Sequence, residues 1–244
     1  MTLRVYDTRS RSKRIFTPLE EGKIGIYACG ITPYSPSHIG HARQAIAFDI
    51  IVRWLRKSGY DVNYISNFTD IDDKIISVSQ KEEVDFLEVA NRNIEDYFIV
   101  MDKLNVIRAD EYPRVTETIP EIISMIEVLI RKNHAYVCSD GVYFEIDTAP
   151  EKYGLLTGQT LEMVRKGAGG RVGNTGSQKR DHRDFALWKR AKKGEPSWNS
   201  PWGLGRPGWH IECSAMSLKH LGERFDIHGG GTDLLFPHHE AEIF

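Results

Sequence analysis

Ile24-Gly25-Ile26-Tyr27-Ala28 carries no charge and runs directly into Cys29-Gly30-Ile31-Thr32-Pro33-Tyr34, after which His38-Ile39-Gly40-His41-Ala42-Arg43 opens the next segment. Residues 24–28 read as a short buried strand. Ala42 to Lys57 carries Phe48, Ile51, Val52 and Leu55 at the spacing of a helix packed on a sheet. A strand that enters a helix through a glycine-containing loop points free backbone N–H groups and the positive helix end at one spot, where a phosphate is stabilised. His38 and His41, three apart in that first turn, could donate to the same phosphate. Cap residues, packing residues or part of a metal site are the other readings of two histidines at this spacing.

Working outward, the 244 residues suffice for one large domain or a domain with an insertion. Charged residues make up 27% and the net charge is −2, so the body is not built to grip nucleic acid by charge alone. No apolar run reaches bilayer length, and the N-terminus lacks the apolar core of a signal peptide, which points to a cytoplasmic protein. Cys29, Cys138 and Cys213 form no closely spaced pair and leave one over in any disulfide scheme, as expected for a reducing compartment.

Strands and helices alternate through the first part, favouring a parallel sheet with helical crossovers. The first helix stops near Gly59 and Val62 to Ser66 is the next strand. It leads into the acidic block Asn67-Phe68-Thr69-Asp70-Ile71-Asp72-Asp73-Lys74, read from its residues as a helix cap and a solvated first turn. The missing glycine and terminal glutamate argue against a calcium loop. Leu87, Ala90, Ile94, Tyr97, Met101 and Leu104 mark one face of a long amphipathic helix. Thr118 and Pro120 then start a helix striped by Ile119, Ile122, Ile123, Ile126, Leu129 and Ile130. Ala135 to Cys138 and Val142 to Ile146 flank Ser139-Asp140-Gly141, a hairpin signal. This antiparallel piece breaks the rhythm as an inserted subdomain would. Gly167 to Asp184 reads as a glycine-rich loop, Phe185 to Lys192 as a short helix, and Arg224 to Ile227 as a strand. The boundaries expected are 1–114 and 201–244 for two halves of one α/β domain, and 115–200 for the insertion.

A second chemical cluster lies near the C-terminal end. Gly208 to Met216 should open a helix closing at Gly222, with Trp209 and Cys213 on one face. Past His228-Gly229-Gly230-Gly231-Thr232-Asp233, Pro237 suits a helix start, so that His238 and Glu242 share a face. With Cys29 these supply two thiols, an imidazole and a carboxylate, all plausible zinc ligands. Buried free cysteines and a capped histidine are the competing explanation.

Five blocks in order, namely the Cys29 to Arg43 motif, Asn67 to Lys74, Asp184-Phe185-Ala186-Leu187-Trp188-Lys189, Arg206 to Met216 and His228 to Glu242, strongly resemble the cysteinyl-tRNA synthetase family of class I synthetases. The resemblance implies a Rossmann-like parallel sheet with helices on both faces, interrupted by an α+β connective subdomain. It implies activation of cysteine with ATP and Mg2+ to cysteinyl-adenylate, followed by transfer to tRNA(Cys). Cys29, Cys213, His238 and Glu242 match the family's zinc ligands, one Zn2+ per chain, with the metal taking the substrate thiolate. Thr32, Trp209 and His228 match positions around the bound cysteine. His38 and His41 match the catalytic, ATP-binding pair, Gly230 an adenine contact and Asp233 a ribose contact. The family's lysine-bearing KMSKS loop and anticodon-recognising part have no counterpart here. The chain therefore reads as an N-terminal catalytic fragment with the end of that domain truncated, impaired when isolated, monomeric and with no membrane partner. Two alternatives stand beside it: a ligase joining activated cysteine to an amino sugar, as in mycothiol biosynthesis, and a non-catalytic zinc- and nucleotide-binding module.

Overall fold

A computed structural model describes residues 3–158 and 178–244, and the chain divides into two compact units. One, here the parallel unit, comprises Pro18–Ile119 and Glu212–Gly231; the other, the antiparallel unit, comprises Met1–Thr17, Pro120–Ile211 and Thr232–Phe244. The chain opens in the latter with an antiparallel pair, β1 (Arg4–Asp7) and β2 (Ser12–Ile15).

In the parallel unit β3 (Lys23–Ile31) is the centre of a three-stranded parallel sheet, between β4 (Asp61–Phe68) and β9 (Ile227–Gly229). Ile24, Ile26, Tyr27 and Ala28 are all buried. A strand covered on both faces has no polar side, which is why this run is continuously apolar instead of alternating. The crossover is α1 (Ile39–Lys57), which buries Ala42, Ala45, Phe48, Val52 and Leu55. Ile51, placed on that stripe by spacing, is exposed. Arg56 and Lys57 complement the negative end of α1, and Gly59 makes the turn at φ +94°. Next come α2 (Asp73–Glu82) and α3 (Phe86–Lys103). The buried face of α3 carries Ala90, Ile94, Tyr97 and Met101 as its spacing implies, while Leu87 and Leu104 at its ends are exposed. Isolated parallel bridges of Ile65 to Glu111 and Phe68 to Arg114 continue the pairing beyond β4.

Beyond α4 (Ile119–Arg131), strands β5 (Ala135–Cys138), β6 (Gly141–Phe144), β7 (Phe185–Arg190) and β8 (Gly205–Pro207) form an antiparallel sheet in sequence order. The expected hairpin is present as β5 and β6. Residues 185–192, expected to be helical, are strand over β7. Their apolar spacing suits a helix, but Phe185 pairs with Phe144 and Trp188 with both Val142 and Pro207, so pairing on two sides overrides local preference. Of the expected Gly167 to Asp184 loop, residues 167–177 lie outside the described residues. Its end is held: the Asp184 carboxylate accepts from the Tyr136 hydroxyl at 2.6 Å and the Ile146 N–H at 3.1 Å.

Helix α5 (Trp209–Leu221) closes at Gly222, whose φ is +81°. The strand after it is Ile227–Gly229, three residues later than the Arg224 start expected. Asp226 sets this register, its carboxylate accepting from the Leu19 and Gly25 N–H groups at 2.7 and 2.8 Å, so that pairing with β3 begins only at Ile227. Among the described residues no helix is long and apolar enough to cross a membrane. Replacing Ile26, which is fully buried, by alanine should cost about 2–5 kcal/mol in urea unfolding. Ile50→Ala on the exposed side of α1 should cost less than about 0.5 kcal/mol.

Candidate metal and nucleotide site residues

The β3–β4 ladder breaks where the chemistry begins. Ala28 pairs with Ser66 and the next pair is Ile31 with Phe68, so β3 carries one residue more than β4 across this interval. Such a bulge re-aims a side chain and leaves a backbone group without its ladder partner. Cys29 and Gly30 occupy it. The Gly30 N–H is taken by the Asn67 side-chain oxygen at 2.9 Å, and the Gln44 amide donates to the Cys29 carbonyl. The buried Cys29 thiol then lies 3.7 Å from the buried Cys213 thiol on α5 and 3.4 Å from His228 Nε2. Two zinc–sulfur bonds of about 2.3 Å at a tetrahedral angle place their sulfurs about 3.8 Å apart. The thiols of the parallel unit thus have the span of a zinc-bound pair and are not joined as a disulfide.

The imidazole and carboxylate of the expected set lie in the antiparallel unit. His238 Nε2 is 2.8 Å from Glu242 Oε1, the i,i+4 relation anticipated from sequence, and His238 is 1% exposed. Its other nitrogen is 3.0 Å from Nδ1 of His210, and its ring stacks on Trp209 with centroids 4.4 Å apart. Burial first, then His238, pulls the His210 pKa down to about 3, so His210 stays a neutral hydrogen-bonding partner. Sequence spacing singled out Trp209 and His238 but not His210; a histidine between Trp209 and Cys213 carries no periodic signal.

His38 and His41 form the start of α1. His38 is its N-cap: His38 Nδ1 accepts the Gly40 N–H at 3.1 Å and His41 Nδ1 accepts the His38 N–H at 3.4 Å, a capping box made of imidazoles. The rings stack with centroids 3.7 Å apart. With both Nδ1 atoms accepting, each neutral ring carries its proton on Nε2, so the cap determines the tautomer that a ligand would meet. Burial, then the neighbouring His38, lowers the His41 pKa below its ordinary 6.5.

The acidic block divides. Asp72 caps α2 by accepting the Lys74 N–H at 2.8 Å, as expected. Asp70, in contrast to the solvated reading, is fully buried and accepts from the Thr116 N–H at 3.1 Å and its hydroxyl at 2.6 Å; burial raises its pKa. Thr32 follows β3 directly, its carbonyl accepting the Tyr34 N–H, and Gly230 follows β9 in the same unit. Asp233 belongs to the antiparallel unit, in the exposed turn Thr232–Leu234. A folded state that depresses the His41 pKa is stabilised above pH about 6.5 and loses that stabilisation as pH falls below it, because only the unfolded chain takes up the proton there. Imidazole titration by NMR should accordingly place the His41 midpoint below 6.5, and a midpoint above 6.5 would contradict the burial of this ring beside His38.

Residues 15–244 match the family described as tRNA synthetases class I (C) catalytic domain. A cysteine–tRNA ligase of Maridesulfovibrio salexigens is 53% identical over 242 residues, covering 99% of this chain and 49% of that protein. The cysteine–tRNA ligase of Pyrococcus horikoshii is 55% identical over 243 residues, covering 100% of this chain and 50% of that protein. Among solved structures, Mycobacterium tuberculosis methionyl-tRNA synthetase in complex with methionyl-adenylate superposes with a TM-score of 0.63 over 91% of this chain and 54% of its own, at 15% identity, a likeness of fold. The chain spans about half the length of the curated relatives it matches. A parallel sheet entered through a histidine-capped helix, and a family match from residue 15 to residue 244, make this chain a member of the class I tRNA synthetase (C) catalytic-domain family.

Proposed function

We propose that this domain activates cysteine with ATP to cysteinyl-adenylate, for transfer to tRNA(Cys) by the complete protein. The observation that carries the reading is the pair of buried thiols, Cys29 and Cys213, 3.7 Å apart in a chain whose curated relatives are cysteine–tRNA ligases. With them we assign His238 and Glu242 to a single Zn2+. Their imidazole and carboxylate, already 2.8 Å apart, are of suitable donor type. When bound, zinc supplies a soft Lewis acid that ionises and holds the thiolate of substrate cysteine, which a serine hydroxyl resists. A steric pocket alone separates such near-isosteres by only about 1–3 kcal/mol.

The chain's own residues do the rest by positioning. Thr32, Trp209 and His228 border the cysteine, Trp209 by packing over it. His38 and His41 direct their Nε2–H groups, together with the free amides of α1, at the ATP phosphates, where charge grows as the cysteine carboxylate attacks. Their contribution is directed hydrogen bonding from Nε2–H. Gly230 admits adenine close to the backbone, Asp233 accepts from ribose, and Mg2+ accompanies ATP. No protein nucleophile is required. Residues 115–200 are assigned as the connective insertion, and the protein is assigned to the cytoplasm as a monomer.

Metal analysis should find about one zinc per chain, and Cys213→Ala should lose it; zinc-free protein that still binds cysteine would refute the metal assignment. Cysteine-dependent pyrophosphate exchange on the full-length protein, followed by trial of tRNA and amino-sugar acceptors, tests the reaction, and transfer to the sugar alone would overturn it. His38→Asn supplies an N-cap oxygen in place of Nδ1 but removes the Nε2 donor. It should leave the melting temperature near that of the unchanged protein and slow exchange by about 100-fold or more.

A further inference from the structure

Asn67 is a polar side chain at the bulge that touches both cysteine-bearing elements of the parallel unit. It is 1% exposed, on β4. Its Oδ1 accepts the Gly30 N–H at 2.9 Å and lies 3.8 Å from Cys213 Sγ, while its Nδ2 donates to Thr69 Oγ1 at 3.3 Å. The backbone approach is equally close: a Cβ on Gly30 would fall onto the Asn67 carbonyl oxygen. Ordinary strand pairing cannot satisfy the Gly30 N–H, because the extra residue of the bulge has moved it out of register with β4. Without an acceptor at this point the part-buried N–H would be orphaned, and the strand would gain by slipping back into a regular ladder. That slip turns successive side chains to opposite faces, and Cys29 would no longer point toward Cys213.

We propose that Asn67 is the positioning residue for the thiol pair: by holding the Gly30 amide it keeps the bulge in place, and so sets the distance between the Cys29 and Cys213 sulfurs. The proposal rests on the reading of these cysteines as metal ligands but concerns a residue outside that ligand set. Asn67 acts through the backbone of β3 and needs no contact with a metal or a substrate. Outer-shell groups of this kind typically change metal affinity by about 10–100-fold when removed.

The test compares the unchanged protein with Asn67→Ala, which removes the acceptor, and Asn67→Asp, which keeps an acceptor at the same place. Co2+ replaces zinc as a spectroscopic probe, its affinity measured by competition with a chelator and its thiolate charge-transfer absorption read directly. Asn67→Ala should bind Co2+ about 10–100-fold more weakly with a diminished thiolate band, and Asn67→Asp should recover most of that loss. A metal-free arm measures how fast diamide, which accepts the two thiol protons and two electrons, closes a Cys29–Cys213 disulfide, read as a mass loss of about 2 Da by mass spectrometry. Asn67→Ala should close it markedly more slowly than Asn67→Asp. If the unchanged protein shows no thiolate–Co2+ band, the metal reading fails and the oxidation arm alone decides the role of Asn67. If folded Asn67→Ala matches the unchanged protein in oxidation rate, and in Co2+ affinity and spectrum where Co2+ binds, the positioning role is overturned.

Discussion

The close passage of Gly30 against Asn67 is the constraint on which the site depends. Two parallel strands approach backbone to backbone at a point where one carries an extra residue. Only glycine fits, and only a side-chain acceptor can take the displaced amide. The outcome is a cysteine directed out of a largely buried strand toward a second cysteine on α5, at a separation that suits shared coordination. A regular ladder in the same place would have been simpler to form but would have aimed the side chain elsewhere.

The same economy appears at the start of α1. Helices expose backbone amides at their first turn and are normally capped by small oxygen-bearing side chains. Here two imidazoles do it, and the hydrogen bonds that satisfy the helix are the ones that determine which ring nitrogen keeps the proton. Capping and the choice of Nε2 as the donor atom are one arrangement. Burial, then the neighbouring His38, lowers the His41 pKa, which favours the unprotonated Nδ1 that accepts in the cap.

Each donor pair is organised within its own unit. The thiols are held by the bulge and by α5, whereas His238 is held by Glu242 on one nitrogen, His210 on the other and Trp209 across its face. Second partners of this type orient a ligating imidazole before any ligand arrives. Burial keeps His210 neutral, so it fixes ring orientation without adding charge.

Much of this was legible in the residues themselves. The apolar run of β3, the stripe of α1, the hairpin at Ser139 to Gly141 and the i,i+4 relation of His238 to Glu242 are local regularities, and local regularities are written in spacing. Motif resemblance named the candidate ligands and the histidine pair. What spacing could not supply were interactions between residues far apart in the chain. Residues 185–190 became strand because two neighbouring strands paired with them. The start of β9 was decided by the carboxylate of Asp226 reaching Leu19 and Gly25, 207 and 201 residues away. Asp70 looked solvated until Thr116 covered it. Asn67 stood in a quoted motif but read as part of an acidic turn, since its role exists only once β3 bulges beside it. Composition and near neighbours suffice for an α/β chain, its family resemblance and the types of its donor atoms. Register, burial and the 3.7 Å between two sulfurs arise on folding alone, because each depends on which distant backbone groups find one another.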